Sequence, residues 1–219
     1  MPKTAILIDG GFYRKQTRKM WGSLSASDFA KKMMEYCNLH LADEDAGRKR
    51  ELYRIFYYDC PPSGLTVYNP ITKQDEDLSQ TAVFKWTSSF YEELKKQRKV
   101  ALRMGKLSPV STAYMFKPYV LKEICEGKKD LSTLTMSDVF LNLDQKGVDM
   151  RIGLDMASMA YKNQVNQVIL ISGDSDFVPA AKLARREGVD VILDSMGKSI
   201  SSDLREHIDG HMSHWREVK

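Results

Sequence analysis

The sequence predicts a three-layer α/β domain with a mostly parallel central sheet, and three observations carry that prediction. Short continuous runs of β-branched and aliphatic residues recur along the chain, as strands covered on both faces require. The run at 168–171 is followed by a loop, by Ala180, Leu183 and Ala184 at helical spacing, and at once by a second buried run at 189–193. That order is a βαβ unit, with a right-handed crossover expected. Aspartates close several of these runs, and the carboxyl ends of strands are where open α/β sheets place their ligand sites.

In chain order, residues 4–8 form the first expected strand, and Asp9-Gly10-Gly11 comes after it as a turn signal. Paired glycines suit a place where the backbone must approach a ligand or a neighbouring strand. A basic segment comes next, with Arg14, Lys15, Arg18 and Lys19. Ser27 is placed to cap a helix whose apolar face is Phe29, Ala30, Met33 and Cys37. Residues 52–58 alternate and are aromatic-rich, so they read as a strand that stops at Asp59-Cys60-Pro61-Pro62. Residues 65–80 read as loop with weak strand content, 80–98 as a helix with a wetted face, and 100–107 as a further strand. The stretch 108–137 has no clean period, and the region at about 59–137 is expected to be irregular or inserted within one domain spanning 1–219. A strand at 139–143 and a helix opening at Gly147-Val148-Asp149 lead into the strand at 167–171. Pro179 fits the first turn of the next helix, and Gly188 its end. A short terminal helix begins at Ser202.

Composition excludes several classes. Hydrophobic content of 42% and charged content of 28% mark a globular chain with enough apolar residues to bury a core. No run approaches the roughly 20 apolar residues of a membrane helix. Met1-Pro2-Lys3-Thr4 enters a strand without a signal-peptide layout, and the cysteines Cys37, Cys60 and Cys125 are scattered and odd in number. Reduced thiols and a cytoplasmic location are therefore expected. A net charge of +4 permits a nucleic-acid partner without demanding one.

Asp9, Asp174 and Asp176 close strands, and Asp149 opens a helix after a third. If those strands are parallel neighbours, all four carboxylates share one edge of the sheet. Crowded carboxylates repel unless a cation sits among them, and Mg²⁺ or Mn²⁺ is the natural choice for oxygen ligands. The chemistry this implies is metal-dependent phosphodiester hydrolysis. Each aspartate alone has a blander reading as a cap or turn residue, Asp176 above all. Asp155, six residues beyond Asp149, lies about 240° round an ideal helix and leaves that face. Lys146 stands where it could counter charge on a phosphate.

These residues carry a resemblance. Ile8-Asp9-Gly10-Gly11-Phe12, Lys146-Gly147-Val148-Asp149 with Asp155 downstream, and Ile171-Ser172-Gly173-Asp174-Ser175-Asp176-Phe177 resemble the three motifs of NYN-domain proteins, in the bacterial and phage-type branch. These are PIN-like nucleases with a Rossmann-like sheet. The resemblance covers residues 4–194 and implies an acidic Mg²⁺ or Mn²⁺ pocket that cleaves RNA. It assigns metal and catalytic roles to Asp9, Asp149, Asp174 and Asp176; beside it, the residues themselves make Lys146, Arg14, Lys15 and Ser172 the expected substrate contacts. Many family members have an asparagine in the first motif where Gly10-Gly11 stands here.

Other patterns rank lower. Lys95, Lys96, Arg98 and Lys99 form a second basic cluster, with Trp86 and Tyr91 nearby for base stacking. His207, His211 and His214 would align on a helix, but Gly210 interrupts it. Gly197-Lys198-Ser199 lacks the preceding glycine of a phosphate loop. A haloacid-dehalogenase-type phosphatase would need an acid two residues after Asp9, where Gly11 stands. A non-enzymatic alternative is a catalytically weak NYN-fold adaptor that binds nucleic acid. A homo-oligomer is compatible with the sequence.

Overall fold

The computed structural model describes residues 1–43 and 48–218. Its centre is a sheet of six parallel strands: β1 (Lys3–Asp9), β2 (Glu51–Asp59), β3 (Val100–Met104), β4 (Gln167–Ile171), β5 (Asp190–Asp194) and β6 (Gly210–His211). They lie in the order β6-β5-β4-β1-β2-β3, and every pairing is parallel. This is a doubly wound arrangement: the chain builds outward from β1 to β3, returns to β4 on the other side of β1, and builds outward again. Strand order therefore reverses between β1 and β4, the place where such sheets open a crevice at their carboxyl ends.

Alternation within the buried runs explains the three layers. In β1, Ala5 and Leu7 face one core and Ile6 and Ile8 the other, and all four are fully buried. The first core is covered by α5 (Val148–Tyr161), α6 (Val178–Arg186) and α7 (Ser202–Glu206), through residues such as Ile152, Met156, Ala181 and Leu204. The second is covered by α1 (Gly10–Trp21), α2 (Ala26–Leu41) and α3 (Ala82–Lys95), through Tyr13, Phe29, Met33 and Phe90. The expected strands at 4–8, 52–58, 167–171 and 189–193 all lie in this sheet, and the βαβ unit is β4-α6-β5.

The strand expected at 139–143 does not. Val139–Asn142 forms, but pairs antiparallel with Ala113–Phe116, outside the central sheet. The physical reason is one-sided burial: Val139 is buried while Phe140 remains 40% exposed, as suits a strand with only one face covered. Together with Lys106–Leu107 paired to Gln145–Lys146, these strands form a ribbon that leaves the sheet after β3 and returns at α5. The stretch read as aperiodic, 108–137, lies largely in that excursion and includes a helix, α4, at Pro118–Cys125. Within the wider region at 59–137, α3 and β3 belong to the layers themselves.

Two local expectations are corrected, and the expected interruption of the histidine segment is observed. Asp9-Gly10-Gly11 is not a turn: Asp9 caps α1, accepting from the Phe12 N–H at 3.0 Å, and the helix starts at Gly10. The cap of α2 is Ser25, whose hydroxyl accepts from the Asp28 N–H at 3.1 Å, and Ser27 lies inside the helix. The terminal histidines share no helix, because α7 ends at Glu206 and His211 belongs to β6.

The glycine at position 10 meets the expected need for close approach. A Cβ there would lie 2.6 Å from the Tyr58 carbonyl and 2.7 Å from both Asp59 Oδ2 and the Tyr57 ring. At Gly11 the nearest atom would be 3.5 Å away, an ordinary contact. Gly10→Ala should therefore destabilise by about 1–3 kcal/mol through overpacking. Gly11→Ala should be neutral or slightly stabilising, as alanine favours helix by up to about 1 kcal/mol. Denaturant unfolding of both variants checks the contrast, and equal effects would contradict it.

Candidate functional site

Parallel pairing brings the strand-end acids to one edge. Asp9 ends β1, Asp59 ends β2, Asp194 ends β5, and Asp174 lies three residues beyond β4. Sequence reasoning missed Asp59 and Asp194, although both close apolar runs as Asp9 does. Their surroundings separate them into two kinds.

Asp59 and Asp194 are partnered. Asp59 is 1% exposed and forms an ion pair with Arg14, one guanidinium nitrogen lying 3.1 Å from Oδ1, while the Cys60 N–H donates to the same oxygen at 2.8 Å. Arg14 also reaches the Tyr57 and Tyr91 hydroxyls, each at 3.4 Å. Asp194 is fully buried and receives hydrogen bonds on both oxygens. His40 Nε2 lies 2.8 Å from Oδ2, which also accepts from the Tyr36 hydroxyl; the Met196 N–H and Ser213 hydroxyl lie 2.7 Å and 2.6 Å from Oδ1. Burial by itself raises the Asp194 carboxyl, but the His40 hydrogen bond and charge, with the Ser213 and Tyr36 bonds, outweigh it and bring the pKa below the usual value.

Asp9, Asp149, Asp174 and Asp176 have no cationic side chain paired with them among the described residues. Burial raises the Asp9 carboxyl above its usual range and the Asp174 charge adds to the rise, against hydrogen bonds from the Phe12 N–H and the Ser172 hydroxyl. Desolvation raises Asp149 as well, with the negative charges of Asp9, Asp174 and Asp176 adding to it. The four acids thus feel one another, and a hard cation would relieve that repulsion. They are neighbours at Coulombic range and not a closed cage. The described residues bring three ligating atoms of His, Cys, Asp or Glu within 4.8 Å of one another only at Asp203 and Glu206 of α7 and His207 just after it.

Each acid is aimed by local structure. Asp174 accepts from the Asp176 N–H at 3.0 Å, capping a 3₁₀ turn at Ser175–Phe177; Asp176 lies in that turn with its carboxylate exposed. Ser172 lies fully buried beneath them. Its hydroxyl donates to Asp9 at 3.2 Å and accepts from the Asp174 N–H at 3.3 Å, so it holds two of the acids and has no exposed surface for substrate. Asp149 arrives on the first turn of α5 and not from a strand of the central sheet. The ribbon delivers it there: a Cβ at Gly105 would lie 2.7 Å from the Lys146 carbonyl and 2.9 Å from Val148, so β3 and the start of α5 close tightly. Asp155 has turned away, accepting from the Tyr58 hydroxyl and Arg103 Nε, each at 2.9 Å.

The cations divide in the same way. Lys146 is exposed, with its ammonium 3.5 Å from Asp144. Lys15 is exposed on α1 and has no acidic partner among the described residues. In the second basic cluster, Lys95 and Lys96 pair with Glu92 and Glu93 one turn back, and Lys99 reaches the Leu52 carbonyl. Tyr91 is buried with its hydroxyl on the Cys60 carbonyl, so it offers no stacking face. His211 meets Ser195 at 2.8 Å, and His214 meets Glu217. All three cysteines are free thiols. No described helix is long and apolar enough to cross a membrane.

Residues 110–214 match the NYN domain, a family of the PIN-like superfamily. The matched segment contains Lys146, Asp149, Ser172, Asp174 and Asp176, while Asp9 precedes it and joins them through the β1–β4 pairing. A solved protein of unknown function from Vibrio parahaemolyticus is similar at 17% identity, covering 97% of this chain and 93% of its own, with a TM-score of 0.49. No curated protein matches the chain.

The partnered Asp194 yields a prediction independent of function. Its pKa is depressed by folding, so its contribution to stability is present above the unfolded value of about 3.9 and lost as pH falls through the folded value. Asp194→Asn should cost about 3 kcal/mol or more at neutral pH, because His40 and Tyr36 lose a buried charged acceptor. The gap between the two proteins should narrow below pH ~4. Urea unfolding across that range tests it; a gap constant down to pH ~3 would contradict the linkage.

Proposed function

We propose, from the premise that residues 110–214 match the NYN domain of the PIN-like superfamily, that this protein is a metal-dependent ribonuclease hydrolysing RNA phosphodiester bonds with Mg²⁺ or Mn²⁺. The observation that supports it best is the division of acids along the sheet edge. Asp59 and Asp194 are held by partners, whereas Asp9, Asp149, Asp174 and Asp176 lie within Coulombic range of one another with no cationic side chain paired to them among the described residues. Carboxylate oxygens suit a hard divalent ion, so the donor set fits.

When bound, such an ion supplies an activated water and neutralises charge on the phosphate. In this reading the four aspartates hold it, and Ser172 with the Phe12 N–H keeps Asp9 oriented while Asp174 is fixed by its cap. Lys15 and Lys146 offset phosphate charge at the rim. Arg14 acts one step back, neutralising Asp59 so that this fifth acid does not add to the repulsion. Water adds to phosphorus and the 3′ oxygen leaves with a proton, giving a 5′-phosphate and a 3′-hydroxyl.

One observation favours a second reading, a catalytically weak nucleic-acid-binding adaptor: the four acids do not bring three oxygens within 4.8 Å of one another. A single substitution separates the two. Asp174→Asn keeps the shape and cap of the turn but deletes a ligand charge. Cleavage of a single-stranded RNA in Mn²⁺ should fall by about 10²-fold or more, and EDTA should abolish it in the parent. RNA binding should persist or tighten. Asp155→Asn, which breaks contacts to Tyr58 and Arg103, should have the smaller effect on cleavage. Parent activity that survives EDTA, or no cleavage by the parent at all, would sink the nuclease reading. Equal losses at Asp155 and Asp174 would overturn the assignment of ligands.

A further inference from the structure

A cavity of about 760 Å³ lies between α1 and α3, and its two ends differ in chemistry. Gly11, Lys15, Arg18, Lys19 and Gly22 line one wall, at the spacing of a single helix face. Lys15, Arg18 and Lys19 are exposed and have no acidic partner among the described residues, and no carboxylate lines the cavity. Across from them the wall is apolar and aromatic: Val83 is 71% exposed, and Trp86 stands beside it. The indole is fixed in place. Its N–H donates to the Leu24 carbonyl at 2.8 Å, and its ring stacks on Phe90 with centroids 5.4 Å apart and planes at 23°. The Gly11 end abuts the acidic edge, since a Cβ at Gly11 would lie 3.5 Å from Asp9 Oδ1. From Gly11 to Gly22 the helix rises about 17 Å.

From this we infer that the cavity is a subsite for an unpaired nucleotide of a single-stranded RNA, away from the bond that is cut. The base lies against Trp86 and Val83, and its flanking phosphates meet Arg18, Lys19 and Lys15. The inference rests on the nuclease reading only in taking Asp9 as the scissile end. Phosphates seek the cations, and a base seeks a held aromatic wall, which costs little ordering on binding. A duplex base cannot enter, because it stays stacked and paired. Continuity with Asp9 favours a strand over a free mononucleotide.

The test uses the wild-type protein in EDTA and a fluorescein-labelled hexauridylate, read by anisotropy. An abasic hexamer of equal charge should bind at least about tenfold more weakly. Val83→Asp and Trp86→Leu should each remove that preference. Trp86 packs on Phe29 and Phe90, so its variant can lose the fold; exposed Val83 keeps the test decisive. Replacing both Arg18 and Lys19 by alanine should lower the slope of log K against log salt by about 1.4, two contacts at ~0.7 each. Equal binding of the abasic strand, undiminished binding by Val83→Asp, or tighter binding of duplex or of uridine monophosphate would each overturn the subsite. If Val83→Asp cleaves RNA in Mn²⁺ with the parent's KM, the subsite is wrong and the nuclease reading stands. If the base-dependent binding holds but the parent never cleaves, the subsite stands and the nuclease reading falls.

Discussion

Everything at the acidic edge depends on one long-range pairing, that of β1 with β4. Thr4 to Ile8 run in parallel register with Gln167 to Ile171, although 163 residues separate the partners. The pairing is locked at its entry end by one side-chain and one backbone hydrogen bond: the Lys3 N–H donates to Asn166 Oδ1 at 3.0 Å, and the Asn166 N–H returns to the Lys3 carbonyl at 2.8 Å. Because the strands are parallel, the chain leaves Ile8 and Ile171 on the same side of the sheet. Because sheet order reverses between them, no crossover helix fills the space above. Asp9 and Asp174 meet there, with the Ser172 hydroxyl bridging the Asp9 carboxylate and the Asp174 N–H from below.

Crowding acids at one edge is destabilising unless each finds a counter-charge, and the molecule answers this differently at different strands. Asp59 has Arg14 and Asp194 has the His40, Tyr36 and Ser213 set; both aspartates are sealed from water. The Asp194 set also joins α2 and the carboxyl-terminal segment to β5, so its contribution is structural. The remaining acids are left with raised pKa values at Asp9 and Asp149 and, among the described residues, no cation paired with them. In the proposed reading, a divalent cation held by these acids would relieve that repulsion.

Legibility tracked the range of the interactions involved. Strands buried on both faces were readable, since continuous apolar runs need no partner to be recognised, and 167–171 coincides with β4. The segment 139–143 was misplaced because a four-residue apolar run does not say which sheet it will join. Asp9-Gly10 suggests a turn because the pair supports either a turn or a helix cap, and only packing of Gly10 on β2 selects the cap. The lysines at the end of α3 read as a basic cluster because proximity in sequence was all there was to judge by. In three dimensions Lys95 and Lys96 pair within their own helix, and Trp86 belongs with the cations of α1 instead.

By itself the sequence determined the α/β layering, the strand that leads into Asp174 and Asp176, and the candidate acids, because these depend on local burial patterns and on residue chemistry. Its motifs also led to the NYN family, which residues 110–214 match. Tertiary structure alone decided which acids are free. Asp59 and Asp9 look alike in sequence, each closing an apolar strand, yet Arg14 neutralises the first and, among the described residues, no cation pairs with the second. A carboxylate's partner is set by which helix packs over its strand, and that is a property of the folded chain, not of any window of residues.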